Sequence, residues 1–227
     1  VRGLAVSLLT LALPNAGLAA PALRPTERME QEAAVAAIER LGGKVMYDYQ
    51  RPDPAKSKQY DPKARPKDPD GFHRVVFVSL RDTMALDDDL KVVAKLPALE
   101  NLDLTNTQVT GAGLAHLRGL RNLQHLGLWN TKVDDAGLEH LARLTKLQSL
   151  VLDGTRVTDA GLEHLAGLTH LEEWLGLTET GVTDAGLKHL ERLTKLRNLN
   201  LRKTGVTRAG AAKLRKSLQG ADISVGP

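Results

Sequence analysis

Seven histidines, twenty-seven carboxylates and no cysteine bound the chemistry this 227-residue chain could perform. Without cysteine there is no thiolate nucleophile, no disulfide and no sulfur-ligated zinc, so only histidine and carboxylate side chains could hold a metal. His116, His140, His164 and His189 recur every 24 or 25 residues and invite that reading. Geometry argues against it, because equivalent positions on neighbouring helices lie ~8–10 Å apart, whereas each zinc-bound nitrogen sits ~2 Å from its metal. Neither Glu139-His140 nor Glu163-His164 completes the H-E-x-x-H arrangement. Asp135, Asp159 and Asp184 recur as well, and a capping role in the positive first turn of a helix accounts for them. No G-x-S-x-G elbow, phosphate-binding loop or paired-carboxylate cleft is visible. The sequence therefore predicts no catalytic residue, no cofactor, no metal site and no enzyme activity.

The recurrence is the dominant feature. Units begin at Leu96, Leu120, Leu144, Leu168 and Leu193, with spacings of 24, 24, 24 and 25 residues. A degenerate unit precedes them, in which Val75, Val78, Leu80, Thr83 and Leu90 stand 24 residues before Leu99, Leu102, Leu104, Thr107 and Leu114. Within a unit the apolar spacing switches from alternation to helical period. In Leu147-x-x-Leu150-x-Leu152 the last two leucines point to one side of a short strand. In Thr158-Asp159-Ala160-Gly161-Leu162-x-x-Leu165, Thr158 is placed to cap a short helix whose leucines share one face. One strand and one helix make one coil, and a coil cannot bury its leucines alone. The predicted fold is α/β: a solenoid of right-handed βα coils with a parallel sheet on the concave face and helices on the convex face.

The predicted organisation is a signal peptide over 1–22, an N-terminal capping helix and strand over 23–50, a proline- and charge-rich loop over 51–71, and about six coils over 72–227. The leading segment pairs Arg2 with an apolar run of about 11 residues, short of the ~20 needed to span a bilayer. It points to export to the periplasm or cell surface, with no transmembrane span in the mature chain. Thr26 is placed to cap a helix ending near Leu41 before Gly42-Gly43, with Ala34, Ile38 and Leu41 packing on the first coil. Leu214, Leu218 and Ile223 are expected to close the last coil. Thr83, Thr107, Thr131, Thr155, Thr180 and Thr204 follow each strand, where their hydroxyls would satisfy turn backbone.

The pattern T-x-V-T-D-A-G-L-x-x-L-x-x-L-x-x-L-x-x-L-x-L resembles the bacterial leucine-rich-repeat proteins abundant in planctomycetes and, more distantly, the ribonuclease-inhibitor-like repeats of F-box adaptors. The resemblance covers about 72–223. It implies protein–protein recognition on the concave sheet. The helical module by which F-box adaptors dock ubiquitin-ligase machinery has no counterpart here.

Four columns of strand and turn residues should face outward. One column runs Phe77, Asn101, His125, Ser149, Trp174, Asn198; the next runs Ser79, Asp103, Gly127, Val151, Gly176, Asn200. The third is Arg81, Thr105, Trp129, Asp153, Thr178, Arg202, and the turn column is Asp82, Asn106, Asn130, Gly154, Glu179, Lys203. Trp129 beside His125, Val151 and the gap at Gly127, flanked by Asp103 and Asp153, has the composition of a binding hot spot. Trp174 either faces outward with Leu175 in the core or takes the core slot itself. Six strands of about four residues at ~4.8 Å spacing present on the order of 400 Å², against ~800 Å² per partner in a standard interface, which suits a peptide or small protein. A second surface is basic: residues 192–227 carry nine Lys or Arg and one acid, against six and eleven over 120–191. Arg202 and Lys203 belong to it. It lacks the stacking aromatics of a nucleic-acid site, so its expected partner is an anionic polymer or another copy in a structural envelope role, as the alternative to protein recognition.

Overall fold

The computed structural model describes residues 24–48 and 73–226. The expected signal peptide over 1–22 and the loop over 51–71 lie outside them. Helix α1 (Pro25–Arg40) and strand β1 (Lys44–Tyr47) precede β2 (Val75–Ser79), and single strands then alternate with short helical segments to the end. These strands are β3 (Asn101–Asp103), β4 (His125–Gly127), β5 (Ser149–Val151), β6 (Trp174–Gly176), β7 (Asn198–Arg202) and β8 (Asp222–Gly226). All eight form one sheet in sequence order, antiparallel between β1 and β2 and parallel from β2 onward. Helices α2 (Leu90–Val93), α3 (Asp135–Leu138), α4 (Asp159–Leu165) and α5 (Arg208–Leu214), with 3₁₀ turns such as Gly113–Gly119 and Gly186–His189, return the chain between strands.

The ladder is in register with the repeat. Val78, Leu102, Leu126, Leu150, Leu175, Leu199 and Ile223 pair in succession, and all are buried with the helical leucines in one continuous core. Leu175 holds its core slot and Trp174 turns to the outer sheet face. The extra residue in that unit is absorbed before β6, so the register after it is intact. Beyond the units read from the sequence, β8 adds another parallel strand, with Ile223 and Val225 repeating Leu199 and Leu201. An Arg215 guanidinium nitrogen donates to the Ile223 carbonyl.

At the opposite end α1 buries Ala34, Val35 and Ile38. Its Gln31 side chain donates to the His73 carbonyl and accepts from Val75 N–H, fixing the entry to β2. Thr26 is not the cap. Pro25 already suits the first helical position, and Glu27 reaches back to accept the Arg24 backbone N–H at 3.0 Å, leaving Thr26 inside the helix.

Two hydrogen-bond systems hold the turns. Thr83, Thr107, Thr131, Thr155, Thr180 and Thr204 each donate from Oγ1 to the carbonyl three residues earlier, at 2.6–2.8 Å. The recurring aspartates do something other than cap their own helices. Asp87, Asp135, Asp159 and Asp184 each accept both the backbone N–H and the hydroxyl of a threonine in the following coil: Thr110, Thr158, Thr183 and Thr207. The Thr207 hydroxyl and N–H hold the Asp184 carboxyl below its ordinary value. The carboxylate occupies the space a side chain would need at the glycine of that coil, as at Gly186 and Gly210.

One junction departs from this rule. Gly111 stands where the aspartate should be, and the following coil carries Asp134 where the threonine should be. Asp134 caps α3 by accepting Gly137 N–H, and a β-carbon at Gly111 would collide with its carboxylate. The carboxylate here serves its own helix, and the bracket between coils is missing. Gly111→Asp alone should therefore lower the melting temperature, and adding Asp134→Thr, which rebuilds the bracket of the other junctions, should recover part of the loss. A double variant no more stable than Gly111→Asp would show the two positions to be uncoupled. For the core, Leu150→Ala should cost ~2–5 kcal/mol by loss of burial and cavity formation, read from denaturant unfolding.

Candidate functional site

The outer sheet face is where side chains are released from packing. Among the large apolar side chains of the described residues, only Met29, Met84, Leu86 and Trp129 are exposed, and Trp129, at 44%, is the one on the sheet's turn-side column. Its indole is held from two sides. The Arg81 guanidinium lies 5.8 Å from the ring centroid, a cation–π distance. The ring edge rests near Gly154, with Cδ1 3.8 Å from where a β-carbon would stand. Arg81 is two coils before Trp129, and Thr105 between them is only 2% exposed, because the two long side chains lean over it. Arg81 also reaches Asp103 at 3.5 Å. Asp103 in turn accepts the Thr105 N–H at 3.0 Å.

Several expected site residues are arranged differently. Gly127 leaves no open gap: Asp103 leans over it, Oδ1 standing 3.0 Å from the position of an added β-carbon. Asp153 does the same over Gly176 while accepting the Thr178 N–H at 2.7 Å, and burial pushes its carboxyl above the ordinary value. Both acids are committed to the sheet. His125 sits in the outward column yet is only 9% exposed. Glu173 reaches back across Ser149, itself 2% exposed, to place Oε2 3.5 Å from His125 Nδ1. Nε2 is buried without a hydrogen-bond partner among the described residues. Burial lowers the histidine's pKa, against the pull of Glu173 and Glu100. Val151 is half-buried beside this pair of strands.

Lys203 is also spoken for. The turn column adopts left-handed backbone at Asp82, Asn106, Asn130, Gly154, Glu179 and Lys203, with φ between 54° and 67°, a conformation that favours Gly, Asn and Asp. Its side chains then bond along the column: Asn106 Nδ2 to Asp82 Oδ1, Asn130 Nδ2 to Asn106 Oδ1, and Lys203 Nζ to Glu179. The basic stretch is divided among faces. Arg202 lies on the outer sheet face, Arg208 and Lys213 on α5, and Arg215 turns onto β8.

A parallel strand and a helical return every 24 or 25 residues, one leucine core, and threonine-braced turns decide the architecture. The fold is a leucine-rich-repeat solenoid. Residues 143–166, one full coil, match the Leucine Rich repeat family model. Among solved structures, an internalin C2 from Listeria monocytogenes strain 4b F2365 matches with a TM-score of 0.51 at 27% identity, over 60% of this chain and 55% of that one. An internalin (inlF) of the same strain matches with a TM-score of 0.39 at 19% identity, over 60% and 50%. The solenoid thus spans about half the length of the solved internalins it matches. No curated protein matches it. Among the described residues no group of three metal-ligating side chains converges, and no helix is long and apolar enough to cross a membrane.

Arg81 stood in the third column without an assigned role, and Glu173 stood in no column at all. Their signal was a small hydroxyl residue between two long side chains in one column: Thr105 between Arg81 and Trp129, Ser149 between His125 and Trp174, where Glu173 is the immediate neighbour. The buried state of His125 has a measurable consequence. Its folded value lies below the unfolded one, so the unfolded chain takes up the proton first, and stability falls as pH drops through about 6.5. The wild-type melting temperature should fall more between pH ~7.5 and ~5.5 than that of His125→Asn, around that same histidine value. Equal losses would mean that the ring is solvated.

Proposed function

We propose that this solenoid is a non-enzymatic recognition module that binds an extended peptide or small protein on its concave sheet face, with Trp129 as the anchor. The observation that carries the reading is the exposed indole, braced by Arg81 and without a packing role in the leucine core. Large aromatics held rigid before binding lose little freedom on association and dominate interface energetics. Arg81 contributes a second hot-spot residue type on the same spot, while Asp103 fixes its guanidinium. Val151 extends the surface, and Trp174 and Arg202, on β6 and β7, stand beyond it. His125, Asp153 and Lys203 act by supporting the sheet. Leucine-rich-repeat proteins commonly bind other proteins, and the internalin neighbour lends the same support at the level of fold. Export to the periplasm or cell surface is part of the proposal and rests on the apolar leader after Arg2.

Selection of a random peptide display library on the immobilised protein tests it. Selected peptides should lose about thirtyfold or more in affinity, ~2 kcal/mol, on Trp129→Ala, with melting temperature nearly unchanged because the side chain is outside the core. Peptides that bind wild type and Trp129→Ala equally would place recognition elsewhere.

A further inference from the structure

A second feature of the outer sheet face is independent of Trp129. Strands β6, β7 and β8 enclose a shallow recess of about 230 Å³, lined by Trp174, Asn198, Asn200, Arg202, Asp222 and Ser224. Asn200 is three strands from the Trp129 coil, roughly 14 Å at the ordinary strand spacing.

The recess is built by the sequence of three coils. Gly176 carries no side chain, so the Trp174 indole lies along its own strand, with Nε1 2.9 Å from where a β-carbon at Gly176 would be. The half-buried ring forms one wall. Asn198 donates from Nδ2 to the Glu173 carbonyl at 2.9 Å, which sets its amide and leaves Oδ1 as an acceptor. Asn200 Oδ1 accepts the Arg202 N–H at 3.2 Å, which leaves Nδ2 as a donor. Arg202 and Asp222 are exposed and, among the described residues, form no ion pair. Ser224 adds a hydroxyl that can donate or accept.

The lining therefore offers one aromatic wall, donors at Asn200 and Arg202, acceptors at Asn198 and Asp222, and a formal charge that cancels. An apolar ligand would strip water from these groups without replacing its hydrogen bonds, which is costly. A free anion would meet Arg202 but also Asp222. A neutral ligand with a flat C–H face and a rim of groups that both donate and accept satisfies every wall at once. Its C–H bonds meet the negative face of the indole, and planar amide, carboxylate and guanidinium groups can each span neighbouring hydroxyls. The volume corresponds to about seven or eight waters at ~30 Å³ each, the scale of one sugar ring with a few waters. We infer that this recess is a subsite for one neutral pyranose unit of a glycan.

The test is a titration of the ¹⁵N-labelled full chain with methyl glycosides of glucose, galactose and N-acetylglucosamine and with their β-linked trisaccharides. Trp129 and Trp174 are the only tryptophans, so two indole N–H signals report on the two surfaces, assigned with Trp129→Phe and Trp174→Phe. At least one glycoside should shift the Trp174 signal saturably, with a dissociation constant on the order of 0.1–10 mM as expected for a single shallow subsite, and leave Trp129 unmoved. Trp174→Ala should abolish the response, Trp174→Phe should keep a weakened one, and Asn200→Ala and Asp222→Ala should each weaken it several-fold. Trp129→Ala should bind sugar like wild type, so failure of the peptide reading leaves this result standing. The inference is overturned if no saccharide moves the Trp174 signal, if binding survives Trp174→Ala in a variant that melts like wild type, or if inorganic phosphate or an acetylated tripeptide shifts that signal at lower concentration than every sugar.

Discussion

Every coil depends on its neighbours to cover its leucines. A strand with two inward leucines and a helix with two more enclose too little volume to exclude water, and the array is stable only because each apolar face is pressed between the next two. That constraint fixes the rest of the design. It demands a nearly constant coil length, an in-register ladder, and turns that leave no backbone group unpaired as the chain enters and leaves the core. The threonine that closes each strand and the aspartate–threonine bracket between helices meet the last demand, one within a coil and the other between coils.

The same constraint determines where function can reside. Inward positions are occupied by leucine, valine and isoleucine, and the turn column is held in left-handed backbone with most of its side chains bonded to one another. The outer sheet face remains. Even there, most polar groups serve the sheet: Asp103 and Asp153 fill the spaces over glycines, and Glu173 closes over His125. What is left uncommitted is sparse, which makes the two tryptophan-centred places conspicuous.

Much of this was legible in the sequence. The leucine period specified the strands, their parallel order and the inward set, because burial of one face tolerates no slip of register. Turn threonines were legible for the same reason, since a buried turn must satisfy its carbonyls. Three things were not. The aspartates look like helix caps when one coil is considered, and their bond to the next coil's threonine emerges only when coils are stacked. His125 is outward by alternation, yet alternation says nothing about a glutamate two strands away that folds over it. Strand β8 was hidden because Gly220 replaces the leucine that opens the other strand motifs, although Ile223 and Val225 keep the spacing.

The missing bracket at Gly111 and Asp134 bears on how such an array can change over generations. A coil with both halves of the bracket offers a threonine donor to the coil before it and an aspartate acceptor to the coil after it, so it can be copied, lost or transplanted and still find its mate. The coils on either side of this junction cannot. A recombinant that set the Gly111 coil before a threonine-bearing one would leave that threonine with no carboxylate. One that set an aspartate-bearing coil before Asp134 would face two anions across the joint. Only the Thr158–Asp159 and Thr183–Asp184 coils carry both halves of the bracket and are interchangeable, and any shuffling of the repeats has to keep the Gly111 and Asp134 coils together.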